Sequence, residues 1–181
     1  MNQAMLTVFG KDRPGIIAEV SGILFRHGCN LEDISMTILE GEFAMMLILS
    51  FRKEKGGPIR QALERIRKEW QLTFFWKDLE ERLRRGEKHP RGSGTYLVRV
   101  IGRDRTGIVY QTSRLLARYG LNITDLNSKI LGRAKQTVYT MLLEVDIPKK
   151  FPIGRLKRRL QALGKKLKLE FLLKSVERIE L

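Results

Sequence analysis

The chain repeats itself. Shifted by 92 residues, Val8 to Leu39 falls on Val100 to Leu131 without a gap, and fourteen of the thirty-two positions are identical. Self-similarity at one fixed spacing means two copies of one structural unit, so the fold that accommodates the first copy must accommodate the second. The strongest match is a turn: Gly10-Lys11-Asp12-Arg13-Pro14-Gly15-Ile16-Ile17 recurs as Gly102-Arg103-Asp104-Arg105-Thr106-Gly107-Ile108-Val109. Each copy follows a strand-like run, Met5 to Phe9 or Tyr96 to Ile101, and leads into a helix-like one. The turn therefore sits at the carboxyl end of a strand. Asp12 or Arg13 is expected at the helix N-cap with Pro14 in the first turn, where proline sacrifices no hydrogen bond. Gly15 and Gly107 admit two readings. They either only permit a tight strand-to-helix turn, or also leave room for an anion or carboxylate to approach unpaired NH groups at the positive end of the helix dipole.

Periodicity places the remaining elements. Ile16, Val20, Ile23 and Leu24 share one face of a helix over 14–27, and Ile108, Thr112, Leu115 and Leu116 repeat it, with Gly28 and Gly120 as stops. Asn30 and Asn122 then open strands in which Ile34, Met36 and Ile38, or Leu126, Ser128 and Ile130, alternate with polar residues, predicting one buried face. A hairpin follows, about three residues longer in the second copy, and leads into the apolar strands 43–51 and 137–145. Second helices are expected over 58–70 and 152–164, and closing strands over 71–76 and 167–174. Each copy is β-α-β-β-α-β. The fold class is α+β: two tandem ferredoxin-like units, each a four-stranded antiparallel sheet with two helices on one face. The expected domains are 1–78 and 95–181, joined by a charged linker at 79–94.

Composition limits what such a chain does. Units of this size are marginal alone, so pairing of sheets or helices into a larger core is expected. Cys29 is the only cysteine, which excludes intrachain disulfides and cysteine zinc clusters and suits a reducing compartment. The apolar run 43–49 is too short to span a membrane, and 5–9 is too short for a secretion signal's apolar core. A cytoplasmic location without membrane attachment is the expectation.

The loop and strand-start motifs, G-x-D-R-P-G-I followed by G-x-N-[IL]-x-D, resemble those of the ACT domain, a regulatory amino-acid-binding module. The first copy carries Gly10, Asp12, Arg13, Pro14, Gly15, Ile16, Gly28, Asn30, Leu31 and Asp33; the second departs at Thr106, which replaces the proline. Two such domains with no enzyme attached resemble the glycine cleavage system transcriptional repressor group. The resemblance implies a homo-oligomeric regulator of amino-acid metabolism, glycine metabolism among the candidates. It also implies an effector held between the first loop of one domain and the second-strand start of its neighbour. Carried over, the ligand-binding residues are Asp12, Arg13, Pro14, Gly15, Ile16 and Asn30, with Asp104, Arg105, Thr106, Gly107, Ile108 and Asn122. Asp12 or Asp104 would meet the ammonium and the loop NH groups the carboxylate, while Asn30 and Asn122 can both donate and accept. Helix capping by the aspartates and strand-start turns at the asparagines are the competing readings.

No catalytic set presents itself. His27 and His89 have no recurring partner base, nucleophile or ligand, and the adjacent acidic pairs Glu32-Asp33 and Glu80-Glu81 diverge on any regular element. No metal or cofactor is expected, Cys29 reads as a small core residue, and the chain reads as no enzyme. The net charge of +15 is concentrated in residues 96–181, with 19 Lys and Arg against 7 Asp and Glu. Within 148–169, Lys149, Lys150, Arg155, Lys157, Arg158, Arg159, Lys165, Lys166 and Lys168 occur with no acidic residue. In the first copy, Arg60 with Glu64 and Arg65 with Glu69 are spaced to balance one another. Arg155, Lys157, Arg158, Arg159, Lys165 and Lys166 are therefore the candidate partner face, for an acidic protein ahead of nucleic acid. A solvated surface is the bland alternative, and Phe43, Phe74, Phe75 and Trp76 read as core, not as a stacking platform for bases. The classes in competition are an amino-acid-responsive regulator, a nucleic-acid-binding protein and a regulatory subunit of a biosynthetic enzyme.

Overall fold

The computed structural model describes residues 1–79, 92–132 and 137–176. The chain divides into two compact units, Met1–Arg85 and Gly86–Leu181. The first runs β1 (Asn2–Lys11), α1 (Ile16–Arg26), β2 (Asn30–Leu39), β3 (Glu42–Phe51), α2 (Gly56–Glu69) and β4 (Leu72–Leu79). The second runs β5 (Ser93–Gly102), α3 (Ile108–Ala117), β6 (Asn122–Leu131), β7 (Val138–Pro148), α4 (Ile153–Leu167) and β8 (Leu169–Ser175). The sheet orders are β2-β3-β1-β4 and β6-β7-β5-β8, antiparallel throughout. The βαββαβ plan thus appears twice, as the repeat predicts. Of the expected linker, 80–91 lies outside the described residues, while Ser93 and Gly94 already belong to β5.

Register decides which side chains meet the helices. Leu6 stands opposite Leu47 and Trp76, and Val8 opposite Met45 and Phe74, so one sheet face presents an unbroken apolar row. Ile16, Val20, Ile23 and Leu24 of α1 and Ile59 and Leu63 of α2 close over it. The second core is built likewise from Val98, Val100, Met141 and Leu143 under Ile108, Leu116, Leu156 and Leu160. Gly28 and Gly120 end α1 and α3 as expected: both are left-handed, and Cys29 and Leu121 donate back to the carbonyls of Leu24 and Leu116. Gly10 and Gly102 are required for a different reason. A Cβ at Gly10 would lie 2.7 Å from the Gln71 carbonyl oxygen, and one at Gly102 would lie 2.5 Å from the Leu169 side chain.

Several expectations need correction. The helices begin at Ile16 and Ile108, and their N-caps are Gly15 (φ 98°) and Gly107 (φ 92°), without any side-chain cap. A left-handed turn thus intervenes, leaving Asp12, Arg13 and Pro14 outside the helix. Helix α4 does not stop at Gly164 but runs to Leu167, because Gly164 is a close-packing position whose Cβ would come 2.6 Å from the Leu169 carbonyl oxygen. The hairpin insertion in the second copy is four residues, since Leu39 pairs with Glu42 but Leu131 with Val138.

Strands β2 and β6 do not bury a face. Ile34, Met36 and Ile38 are on the helix side, opposite Leu47, Met45 and Phe43, yet Met36 is 42% and Ile38 50% exposed. These strands are sheet edges. The aromatic run of β4 also divides: Phe74 and Trp76 pack on the core, while alternation turns Phe75 to the open face, opposite Thr7, where it is 56% exposed. Finally, Arg60 pairs with Asp78 at 3.4 Å and Arg67 with Glu64 at 3.2 Å, not in the expected i,i+4 couples.

Candidate functional site

The strand-to-helix turn of the first unit forms one wall of an open cleft of about 560 Å³. Asp12 to Ala18 supply the loop and the first turn of α1, and Met36, Ile38 and Phe43 supply an apolar floor from the sheet. The loop is held at its near end by Asp12, whose NH donates to the Gly41 carbonyl at 2.9 Å. At the other end Glu19 is the first residue to donate within the helix, to Gly15, leaving the NH groups of Ile16, Ile17 and Ala18 outside the helical ladder. The cleft therefore combines backbone donors at a helix N-terminus, the exposed Asp12 carboxylate and an apolar floor. Sequence periodicity places Met36, Ile38 and Phe43 on strands, but only the register brings them to the loop.

The two loop arginines do a different job from their neighbours. Arg13 donates to the Glu69 carbonyl at 3.0 Å and lies 4.3 Å over the Trp70 ring. Arg105 donates to the Leu167 carbonyl at 3.1 Å in the same way. Each guanidinium ties its loop to the last turn of the unit's second helix, where the carbonyls lack helical partners and the dipole is negative. Gly15 is equally constrained, since a Cβ there would stand 3.2 Å from the same Trp70 ring.

Asn30 lies elsewhere. It starts β2, and eight residues of strand, roughly 26 Å, separate it from Ile38 beside the loop. Its amide donates to Glu32 at 2.9 Å, which also accepts from Ser50 at 2.6 Å, the residue that pairs with Asn30 across the sheet. Asn122 occupies the same register in the second unit, opposite Asp146. Within one unit, then, loop and asparagine are not parts of one site. Nor do His27 and Cys29 form a cluster: the His27 Nδ1 contacts the Ile23 carbonyl at 2.8 Å, and partial burial pushes the Cys29 thiol above its ordinary pKa. Among the described residues no group of three or more His, Cys, Asp or Glu side chains is placed to hold a metal ion.

The basic stretch separates into faces once folded. Arg158, Lys165 and Lys168 line a groove of about 800 Å³ between α4 and β8. Arg159 and Lys166 face α3, where Arg114 and Arg118 complete a second groove of about 430 Å³ floored by Leu115, Ala162 and Leu163. Arg155 lies 5.6 Å from the Tyr119 ring, and Lys157 is exposed. The α3 arginines were not part of the expected partner face; their own i,i+4 spacing was the signal. The Arg26–Glu19, Arg60–Asp78 and Arg67–Glu64 ion pairs, by contrast, all belong to the first unit.

Comparison with known proteins bears on both repeats. The profile described as ACT domain matches residues 2–77 and again 95–174. A UPF0237 protein of Methanopyrus kandleri is 42% identical over 71 residues, covering 38% of this chain and 79% of its own. A crystal structure of an unknown protein from Galdieria sulphuraria superposes with a TM-score of 0.80 at 25% identity, covering 97% of this chain and 99% of the other. A protein designated, provisionally, a glycine cleavage system transcriptional repressor superposes with a TM-score of 0.72 at 18% identity over 98% of both chains, a likeness of fold. No helix among the described residues is long and apolar enough to cross a membrane.

Proposed function

Because the chain belongs to the ACT-domain family in both of its repeats, we propose that it is a non-enzymatic regulatory protein that binds an amino-acid effector at the strand-to-helix loops and acts through a partner. The observation that carries this reading is the uncapped first turn of α1 opening onto a cleft with an apolar floor. A zwitterionic amino acid suits it: the carboxylate accepts from the loop NH groups, Asp12 pairs with the ammonium, and the side chain lies toward Met36 and Phe43. Asn30 and Asn122 enter from a neighbouring unit, which makes binding and domain pairing one equilibrium. The effector shifts that equilibrium only by its differential affinity for the paired and unpaired states. Amino-acid metabolism is the regulated process, with glycine the first effector to try.

The partner face is the cationic layer of α3 and α4. An apolar floor between cationic rims suits an acidic protein segment, which uses both. Nucleic acid is the second reading, favoured by cations on both flanks of α4, and its mark is affinity for unspecific duplex that falls steeply with salt.

A thermal-shift screen of the full chain against the twenty amino acids tests the effector reading. A ligand at 100 times its dissociation constant adds roughly 2.7 kcal/mol, so at least one amino acid at millimolar concentration is expected to raise the midpoint by several degrees. No shift with any of the twenty, together with no heat in calorimetry, would remove it.

A further inference from the structure

The two loops differ in chemistry at matched positions. Phe43 stands opposite Gly10 and Ile38, and Tyr139 stands opposite Gly102 and Ile130, so Tyr139 holds in the second unit the place of Phe43 in the first. By the same register Ser128, opposite Met141, replaces Met36, opposite Met45. In the turn itself Thr106 replaces Pro14. Pro14, Met36 and Phe43 all line the first cleft. Three positions that present hydrocarbon in one unit therefore present hydroxyls in the other, on the same backbone plan. The remaining wall stays apolar, with Ile108 for Ile16 and Ile130 for Ile38.

Tyr139 makes the difference consequential. It is only 7% exposed, and its hydroxyl is shielded from solvent without a hydrogen-bond partner among the described residues. A buried hydroxyl without a partner is destabilising, and phenylalanine, which the first unit uses at this place, carries no such penalty. A ligand oxygen that accepts from the phenol recovers the loss. Thr106 also leaves the second loop without the fixed φ that Pro14 gives the first.

We propose that the two sites select different amino acids: the first an apolar side chain, the second an uncharged side chain carrying an oxygen that pairs with the Tyr139 hydroxyl. A charged side chain gains nothing from the Tyr139 hydroxyl over an uncharged one and would lie against the buried Ile108 and Met141. The assignment rests on the reading that these loops seat an amino acid. It yields an ordering at the second site, with hydroxyl and amide side chains above aliphatic ones, and the reverse at the first.

The test is calorimetry on the full chain and on Tyr139→Phe and Ser128→Met, with L-leucine, L-valine, L-serine, L-threonine, L-asparagine and L-glutamine as probes. Ser128 is exposed on its edge strand, so its replacement leaves the core intact. Tyr139→Phe is expected to weaken the hydroxyl- or amide-bearing ligand at least about fivefold, as loss of one buried hydrogen bond does. Aliphatic binding stays within about twofold, and the ligand-free thermal midpoint does not fall. Ser128→Met weakens the same polar ligand and spares the aliphatic one. Unchanged polar affinity in both variants, or a lowered ligand-free midpoint in Tyr139→Phe, would overturn the assignment while leaving amino-acid binding in place. A wild-type chain that binds none of the six, nor any other amino acid, instead removes the reading on which the assignment rests.

Discussion

Arg13 shows how one side chain that lines the cleft also ties the loop to a helix end. Its guanidinium donates to Glu69 and stacks on Trp70, joining the first turn region to a helix end 56 residues further along the chain. A charge-assisted hydrogen bond and a cation–π contact at an exposed site together contribute about 1–2 kcal/mol. Arg13→Ala is therefore expected to lower the calorimetric midpoint of the first unit by roughly 4–16 °C, with Arg13→Lys recovering less than half because an ammonium lacks the planar fork. An unchanged midpoint with lost effector binding would make Arg13 a direct ligand contact instead. Nothing local announces this role. The recurrence of Asp-Arg before Gly15 and Gly107 marks the loop as a unit, but the acceptor carbonyl of Glu69 is a backbone atom whose position depends on how α2 docks. The loop glycines were legible because a strand ending and a helix beginning within four residues demand a reversal. Their left-handed φ, which displaces Asp12 from the cap, was not.

At the scale of elements, period and turn chemistry identify the eight strands and four α-helices found among the described residues, because alternation and the 3.6-residue stripe are direct images of the two backbones. What covers an apolar face is another matter. Ile34, Met36 and Ile38 point to the helix side as their spacing demands, yet among the described residues no helix of their own unit covers them, and Leu126 and Ile130 of β6 are left exposed in the same way. The end of α4 departs from expectation for a related reason: Gly164 reads as a stop in sequence, and only the approach of the Leu169 carbonyl explains it. Two matched apolar sheet edges, each with backbone groups unpaired on one side among the described residues, are the surfaces the homo-oligomer reading assigns to association with another copy. The wild-type chain is accordingly expected to sediment above its 21.0 kDa monomer mass at micromolar concentration. Lysine at both Ile34 and Ile38 should shift it toward monomer while moving the thermal midpoint little, since both side chains are already half exposed. A wild-type monomer throughout would assign these edges to some other contact.

The molecule as a whole is asymmetric in charge where it is symmetric in fold. Matched helices α2 and α4 are each followed by a left-handed residue, Gln71 or Lys168, that leads into the closing strand. In the first unit the helix carries Glu64 and Glu69 among its cations and pairs Arg67 with Glu64; in the second the helix and its flanks carry cations with no acid from Lys149 to Lys168. Mutual repulsion in such a layer costs stability, so an anionic partner gains from relieving it as well as from direct attraction. Replacing Arg155, Arg158 and Arg159 by glutamate is expected to weaken binding of labelled polyglutamate at least tenfold at low salt, as loss of several kT of local potential does. Any amino-acid-induced thermal shift should survive, because none of the three lies in a loop. Binding of a 20-base-pair duplex by the wild type, tighter than polyglutamate at equal ionic strength, would assign the face to nucleic acid. Retention of polyglutamate by the triple variant alongside loss of the amino-acid response would mean that the effector and partner surfaces are exchanged.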